Sequence, residues 1–562
     1  MNVTQVLLPE FVLIGVACVL FLLGAVDSPA ARRASAWGAL LACLAVVVMQ
    51  LAGVAAPTDA THADEGNVLH VGHFGYYVKL LAAAIGAVLV LLAWPTDRDA
   101  HGGTAIEYGT EAPEFFALML LSLSGVCLVA GANDLVLLFL GIELASIPTY
   151  VMVSISRPIP VAQEAGVKYF FLGAMAAALL LMGFCYLYGT TGLIKLDAIG
   201  AALHGAVIPD AGSPTIGGQT VAAALNAVPP VLTSWQLLAV VLLMAGFAFK
   251  IAAVPLHAYA GDVYTGAATP VTAFLAFVPK TSGFVAIVKL LYALGGPQFA
   301  APDVVVKLLW VIAALTMTFG NVLGLLALNV KRVLAYSSVA HSGYMLVGLT
   351  ALVSARGNPD VQTAALTGVL FYLGIYGLMN AGAFGVLQLL PARDERPATS
   401  AETYEDLAGT GRKNVGLGLA MAVCCFSLIG LPLTAGFFGK IYLIQPALEG
   451  KLYWLVVILM INAAISAAYY LKIVATMFLR PEPTPHFGQP ERAAPATPFV
   501  RPLPVLVAVA VSVVGVLLLG IVLPATNALT DRVRAASRLE GGPLATPPAP
   551  AAASAVDLPT GR

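Results

Sequence analysis

Charge is scarce in this chain. Asp, Glu, Lys and Arg make up 10% of its 562 residues against 59% hydrophobic, and mean hydropathy is +0.90. Such a balance excludes an ordinary soluble domain, whose surface needs about 25% charged residues, and leaves a helical membrane protein. Basic residues interleaved with aromatics are also missing, so no nucleic-acid partner is expected. The six cysteines (Cys18, Cys43, Cys127, Cys185, Cys424 and Cys425) all fall in apolar segments, without C-x-x-C or Cys/His spacing. They are expected as small core residues rather than a metal site or disulfide framework. The chain has no G-x-G-x-x-G opening a helix after a strand, no cysteine quartet and no haem ligand pair. No redox cofactor is expected on this chain.

What is present is a succession of apolar runs of about 20 residues, each long enough to cross a bilayer. Counting runs and the polar loops between them gives an all-α polytopic membrane protein of about fourteen spans. They cover 6–26, 34–56, 76–94, 113–131, 134–154, 162–189, 234–260, 268–294, 303–328, 332–354, 362–390, 414–444, 452–479 and 500–526. The first run lacks a basic leader and carries Glu10, so it is expected as a span, not a cleaved signal. Loops after odd-numbered spans hold thirteen Lys and Arg, among them Arg157, Lys331, Arg332, Arg412 and Arg480, whereas even-numbered loops hold four. The positive-inside rule then puts the odd loops in the cytoplasm and both termini on the opposite side of the plasma membrane. Arg532, Arg534 and Arg538 run against that assignment, and the Ala/Pro-rich end reads as a disordered tail over 531–562.

Three lysines stand out. Lys250, Lys280 and Lys440 lie deep in apolar segments, close to Pro255, Pro279 and Pro432 respectively. An ammonium at the bilayer centre costs about 2.5–3.5 kcal/mol on insertion scales, so each points to an ion pathway. Pro255 removes the bond to the carbonyl of Ile251 and Pro432 the bond to that of Leu428, leaving acceptors that protein or water must meet. A faint repeat accompanies the breaks. Phe170-Phe171-Leu172-Gly173 recurs as Phe371-Tyr372-Leu373-Gly374, and Val254-Pro255-Leu256 as Leu431-Pro432-Leu433, in the same order and five spans apart. Tandem units with an odd number of spans must insert with opposite orientation, which predicts two inverted five-helix repeats with broken helices. The expected divisions are an N-terminal segment over 1–110, repeats over 111–294 and 295–480, a C-terminal helix over 481–530 and the tail.

These residues resemble a known family. Phe249-Lys250-Ile251-Ala252-Ala253-Val254-Pro255-Leu256-His257, followed by Asp262-Val263-Tyr264, Gly266, Pro270-Val271-Thr272 and Lys280, is similar to the signature of subunit N of the proton-pumping NADH:quinone oxidoreductase, respiratory complex I. Gly141-Ile142-Glu143-Leu144, Lys168-Tyr169-Phe170, the stretch from Lys331 to Ser338 with His341 and Gly343-Tyr344, and Gly430-Leu431-Pro432 through Lys440 extend the likeness over 110–480. Tyr259, Gly261, Thr265 and Ala268 depart from the family's usual Trp, Pro, Glu or Gln, and Pro. They fall in the turn after the seventh span and bear on its rigidity.

The resemblance implies an antiporter-like module of the membrane arm that moves protons, with NADH, FMN, iron–sulfur clusters and quinone handled by partner subunits. Its expected neighbours are other membrane-arm subunits, including the next antiporter-like one, and lipid. It further implies a relay in which Glu143 pairs with Lys250, Lys280 and His341 pass the proton across the centre, and Lys440 releases it. Burial can lower a lysine's pKa from about 10.4 by as much as about 3–5 units, which lets such a group switch. Plain readings stand beside these. Glu143 could be a structural ion pair, Lys168 could snorkel to the interface, and His257 and His341 could be hydrogen-bonded packing residues. Lys289 and Lys472 read as anchors near span ends, and Asp262 as pinning a turn. His62, Asp64, Glu65, His70 and His73 are too irregularly spaced for a metal site and read as a solvated loop. Two other classes remain: an exchanger of sodium or potassium for protons, disfavoured by Lys280 where such relatives usually carry histidine, and a membrane scaffold, which leaves the buried lysines unexplained.

Overall fold

In the computed structural model, residues 3–26, 28–53, 69, 72–95, 112–157, 159–204, 230–391, 401–481 and 501–537 are described. His62, Asp64, Glu65, His70, Arg538 and the Ala/Pro-rich end lie outside them. The described residues are almost wholly helical. The principal helices are α1 (Leu8–Leu23), α2 (Pro29–Leu51), α3 (His73–Leu92), α4 (Ala112–Gly131), α5 (Leu135–Ile155), α6 (Pro160–Thr191), α7 (Ser234–Lys250), α8 (Tyr259–Gly266) and α9 (Thr269–Gly295). They continue as α10 (Asp303–Leu326), α11 (Val330–Ser354), α12 (Pro359–Gln388), α13 (Val415–Ile429), α14 (Ala435–Glu449), α15 (Tyr453–Phe478), α16 (Leu503–Ile521) and α17 (Leu523–Ser537).

Local chemistry starts many of them. Ser28 accepts from Ala31 N, Asp134 from Val136 N and Leu137 N, and Asn329 from Arg332 N, while Thr233 and Gln236 form a reciprocal capping box. Each cap meets backbone donors that a membrane would leave unpaired. Inside the bundle, hydroxyls turn back onto their own helix, as Thr281 does to Phe277 O and Thr350 to Leu346 O. The most enclosed helix is α9, with α11 and then α12 next, and the remaining helices pack around them.

Ten described helices are long and apolar enough to cross a membrane, or eleven if the short helical stretch from Tyr404 to Lys413 is joined to α13, to which it is bent by 120°. The difference from the fourteen expected runs has a physical basis. The run 234–260 divides into α7 and α8, and 414–444 into α13 and α14, at the places where proline removes a donor. Helix α11 spans 25 residues but carries four Ser with Lys331, Arg332 and His341, while α1 has only 16 residues.

Further expectations change. The helical path continues past 530, because α17 carries the chain to Ser537 and Thr367 Oγ1 donates to Ser537 Oγ at 3.0 Å. Cys43, Cys127, Cys424 and Cys425 are buried, but Cys18 and Cys185 are exposed on the outside of the bundle. Lys289 is buried rather than anchored at a surface, with its ammonium 5.7 Å from the Phe74 ring centre. Glu10 has a partner no pattern indicated: Lys79 Nζ lies 2.7 Å from its Oε1 and donates to Val6 O at 2.7 Å, both side chains being buried. The repeated tetrapeptides occupy unlike surroundings. Phe170 and Phe171 on α6 face outward, whereas Phe371 and Tyr372 on α12 are fully enclosed.

At one end of the bundle several loops meet on a single carboxylate. Glu402 Oε1 accepts from Arg157 Nη2 at 2.5 Å and from Lys331 Nζ at 3.1 Å, and Lys331 also donates to Ala267 O at 2.7 Å. Nearby, Arg412 donates to Phe478 O at 2.5 Å, and Arg332 and Lys168 both pair with Asp262. Burial alone would push the Glu402 carboxyl up, but the Lys331 and Arg157 charges more than offset it and hold the group below the usual range. A depressed carboxyl contributes stability above its unfolded pKa of about 4.3 and loses it as pH falls through the lower folded value. Glu402→Gln leaves two buried cations without their anion, so thermal unfolding of the purified assembly should show a loss on the order of 3 kcal/mol near neutral pH. The same variant should lack the wild type's decline in stability below the ordinary carboxylate range; an unchanged acid profile would refute this account.

Candidate functional site

Lys250 is the last residue of α7, where the free carbonyls at the helix end favour a cation. Its ammonium donates to Glu143 Oε1 and Ser146 Oγ, each at 2.9 Å, and to Tyr150 Oη at 3.3 Å. Residues 143, 146 and 150 follow a spacing of three and four along α5 and so share one face, which brings all three acceptors to one point. The lysine side chain is 1% exposed and the glutamate 14%. The carboxylate is therefore the more accessible member, and separating the pair strands the lysine.

Beyond Lys250 the chain leaves the helix for residues 251–258. Ala252 takes a φ of 55°, and Ala253 N reaches back to Ala248 O at 2.7 Å. The carbonyl that Pro255 orphans is met by protein, because Ser342 Oγ on α11 donates to Ile251 O at 2.6 Å. Ser342 Oγ also accepts from Lys280 Nζ at 2.8 Å. A single hydroxyl thus joins the break after Lys250 to the next lysine. Gly283 permits the close approach: a Cβ there would lie 2.7 Å from Ile251 Cγ2 and 3.2 Å from Lys250 Cβ.

Lys280, on α9, is buried and donates also to Ser338 O at 2.5 Å. Among the described residues no carboxylate pairs with it. His341 is on the same helix as both serines and is fully enclosed, with Nδ1 2.7 Å from Tyr372 Oη and Nε2 3.1 Å from Tyr470 Oη. Both ring nitrogens therefore face phenols, which can donate or accept and so suit either tautomer. Tyr470 Oη is also hydrogen-bonded to Ser337 Oγ.

Lys440 reaches from α14 to the second break. Its ammonium donates to Leu428 O at 3.2 Å and Ile429 O at 2.6 Å, the terminal carbonyls of α13, and stands 4.8 Å from the Tyr344 ring centre. The acceptor freed by Pro432 is met by the lysine itself. Gly430 turns the chain at a φ of 88°, and the Lys440 side chain fills the space a Cβ there would need. Tyr344 touches both sides, its ring centre lying 5.3 Å from that of His341.

The structure brings Glu143 to Lys250, Lys280 to the first break, and His341 and Lys440 to one tyrosine. Lys168 is left out: it is about half exposed and pairs with Glu164 at 2.7 Å and Asp262 at 3.3 Å. His257 is half-buried beside Phe319 on the far side of the break. Sequence reasoning missed Ser146, Tyr150, Ser338, Ser342, Tyr372 and Tyr470. Ser146 and Tyr150 had a signal in their spacing of three and seven from Glu143 along α5, and Ser338 and Ser342 in their spacing of four along α11, but Tyr372 and Tyr470 belong to helices whose approach no pattern encodes. No cluster of His, Cys, Asp and Glu able to hold a metal occurs among the described residues.

Residues 132–466 match the family of NADH:quinone oxidoreductase/Mrp antiporter transmembrane subunits. NADH-quinone oxidoreductase subunit N 1 of Sorangium cellulosum (strain So ce56) is 37% identical over 462 residues, covering 81% of each chain. A chain of respiratory complex I from Thermus thermophilus with bound aureothin superimposes with a TM-score of 0.67 at 29% identity, covering 92% of this chain and 98% of that one. A chain of the Mrp complex from Dietzia sp. DQ12-45-1b, at 20% identity and a TM-score of 0.71, covers 95% and 97% and shares the fold. With the family match spanning more than half its length and relatives of this name similar along most of it, the chain belongs to the NADH-quinone oxidoreductase subunit N family of antiporter-like membrane proteins.

Proposed function

We propose that this chain moves protons across the membrane as a subunit of NADH-quinone oxidoreductase, coupling electron transfer from NADH to quinone in its partners to a relay through its own buried side chains. The observation that carries the reading is the Lys250–Glu143 pair, tied through the broken segment and Ser342 to Lys280. When Glu143 approaches, the ammonium of Lys250 is held charged. When it withdraws, the ammonium loses its carboxylate partner and the proton is handed on. In this reading Lys250 takes its proton from the cytoplasmic side, Lys280 and His341 carry it through the centre with water and the phenols of Tyr372 and Tyr470, and Lys440 releases it on the far side. Lys168 and His257 take secondary parts at most.

The broader organisation follows. Residues 111–294 and 295–480 form two inverted five-helix repeats, with α7 and α8 equivalent to α13 and α14, preceded by an N-terminal segment over 1–110 and followed by a C-terminal helix and tail. Support comes from the like placement of the two breaks and lysines and from the recurrent tetrapeptides. Counting each broken pair, α1 and α11 as spans restores fourteen. The end that gathers Arg157, Lys331 and Arg412 faces the cytoplasm of a cell bounded by the plasma membrane, and both termini face away. The chain itself takes no part in redox chemistry. NADH, FMN, iron–sulfur clusters and quinone belong to partner subunits, and a neighbouring antiporter-like subunit and lipid cover its apolar outside.

Likeness to the Mrp fold keeps one competitor in view, exchange of sodium or potassium for protons. Pumping by vesicles oxidising NADH separates the two. With assembly of the complex verified, Lys250→Ala should lower the pumping rate by at least about a hundredfold, the scale of a lost acid–base group, together with quinone-linked activity. Wild-type pumping should be insensitive to replacing sodium and potassium by choline. Normal pumping by the variant refutes the relay; dependence on sodium or potassium points to the exchanger.

Ser342→Ala gives a sharper check on the link. It leaves Ile251 O and one donor of Lys280 unpartnered, at about 1–3 kcal/mol. Pumping should slow about tenfold while Ser342→Thr, which keeps the hydroxyl, retains most of it; equal loss in both would mark a packing role alone.

A further inference from the structure

A buried amide is costly in a membrane unless its donors and its acceptor are all met, and two such amides meet each other between α10 and α15. Asn321 and Asn462 are both buried. Asn321 Nδ2 donates to Met317 O at 2.8 Å, one turn back on its own helix, and faces two further acceptors, Tyr344 Oη at 3.0 Å and Asn462 Oδ1 at 3.2 Å. Its oxygen accepts from Tyr469 Oη at 2.9 Å. Asn462 Nδ2 in turn donates to Ile458 O at 2.9 Å and to Thr318 Oγ1 at 3.3 Å. Every polar atom of the two amides is therefore engaged.

Close backbone packing brings this pair to the relay. A Cβ on Gly320, beside Asn321, would lie 2.5 Å from Ala340 N, and one on Gly343, beside Tyr344, 2.6 Å from Met317 N. Helices α10 and α11 thus touch on both sides of the bond from Asn321 to Tyr344. Ser466 on α15 faces the same phenol. While its hydroxyl is held by the amide, the Tyr344 ring is set against two relay groups: its centre is 4.8 Å from Lys440 Nζ and 5.3 Å from the His341 ring, which it meets edge to face at 80°.

An aromatic face attracts an ammonium through its ring quadrupole, most strongly where water is absent, and that attraction ends when the proton leaves. The hydrogen bonds of Lys440 go to the Leu428 and Ile429 carbonyls, which the end of α13 fixes in place. The ring is different, because it belongs to a side chain that a rotamer change would carry away from the lysine. What opposes that change at the hydroxyl is Asn321.

We infer that Asn321, braced by Asn462, is a positioning residue that holds the Tyr344 ring where it meets the Lys440 ammonium and so governs how readily that lysine gives up its proton. The inference rests on Lys440 acting as the releasing group of the relay. Neither amide exchanges a proton in this role. The proton that leaves Lys440 is the one it accepted, and the ring acts on it through its electrostatic field alone.

A cryo-electron microscopy map of the wild-type complex should show Tyr344 Oη within hydrogen-bond distance of the Asn321 amide and the ring centre within about 6 Å of Lys440 Nζ; a ring turned away from the lysine overturns the inference without any variant. In vesicles oxidising NADH, with assembly verified, Asn321→Leu and Tyr344→Phe should each slow pumping about tenfold, and the double variant should also be about tenfold slow rather than about a hundredfold, because the amide acts through the hydroxyl. Asn321→Gln, which keeps the amide, should retain most of the rate. Losses that multiply in the double variant, or equal losses with leucine and glutamine, would mark Asn321 as a helix-packing residue and refute the role. If Asn321→Leu does not assemble, Asn462→Leu takes its place in the same cycle. Lys440→Met is assayed in parallel: normal pumping there sinks the relay reading itself, whereas slow pumping there beside a wild-type rate in Asn321→Leu sinks the positioning role alone.

Discussion

An ammonium taken out of water forfeits several kcal/mol of solvation unless oxygen atoms replace it. Lys250, Lys280 and Lys440 meet that demand in three ways. Lys250 has a carboxylate, a serine and a phenol from one face of α5. Lys280 has a serine and a carbonyl from α11. Lys440 has the terminal carbonyls of a helix that stops for it. Proline breaks and buried lysines therefore explain one another: the break frees acceptors that would otherwise be unpaired in a membrane, and the cation or its neighbour supplies the missing donor.

The three shells differ in kind. Only Lys250 has a formal counter-ion, so only its charge answers directly to the movement of an acidic side chain. Lys280 and Lys440 are held by neutral dipoles. Ser342 connects the first two, since it donates to the broken segment beside Lys250 while accepting from Lys280. A shift of the break would be felt at Lys280 through one hydroxyl. Tyr344 stands between His341 and Lys440 in the same manner.

Charge at the end of the bundle is organised on the same principle. Glu402 draws Arg157, which follows α5, and Lys331, which opens α11, onto one carboxylate, and Lys331 also holds a carbonyl between α8 and α9. The helices bearing Glu143, Lys280 and His341 are thus fixed together near one surface. The buried pair of Glu10 and Lys79 ties α1 to α3 in the same way.

Composition alone determined that this is a helical membrane protein, because so little charge cannot clothe a soluble surface. The lysines, the prolines and their spacing determined where the helices break and which carbonyls are orphaned, since a missing N–H is a property of the residue itself. The face of α5 that carries Glu143 was legible for the same reason, as helical periodicity is local. Tertiary structure decided what answers those breaks. That Ile251 O is met by Ser342 and the Leu428 carbonyl by Lys440, that Lys289 is enclosed rather than anchored, that Lys168 stays at the surface, and that Glu402 neutralises two cations from distant loops all depend on how helices far apart in sequence approach one another. No periodicity records that approach, because it is set by the packing of the whole bundle around α9, α11 and α12.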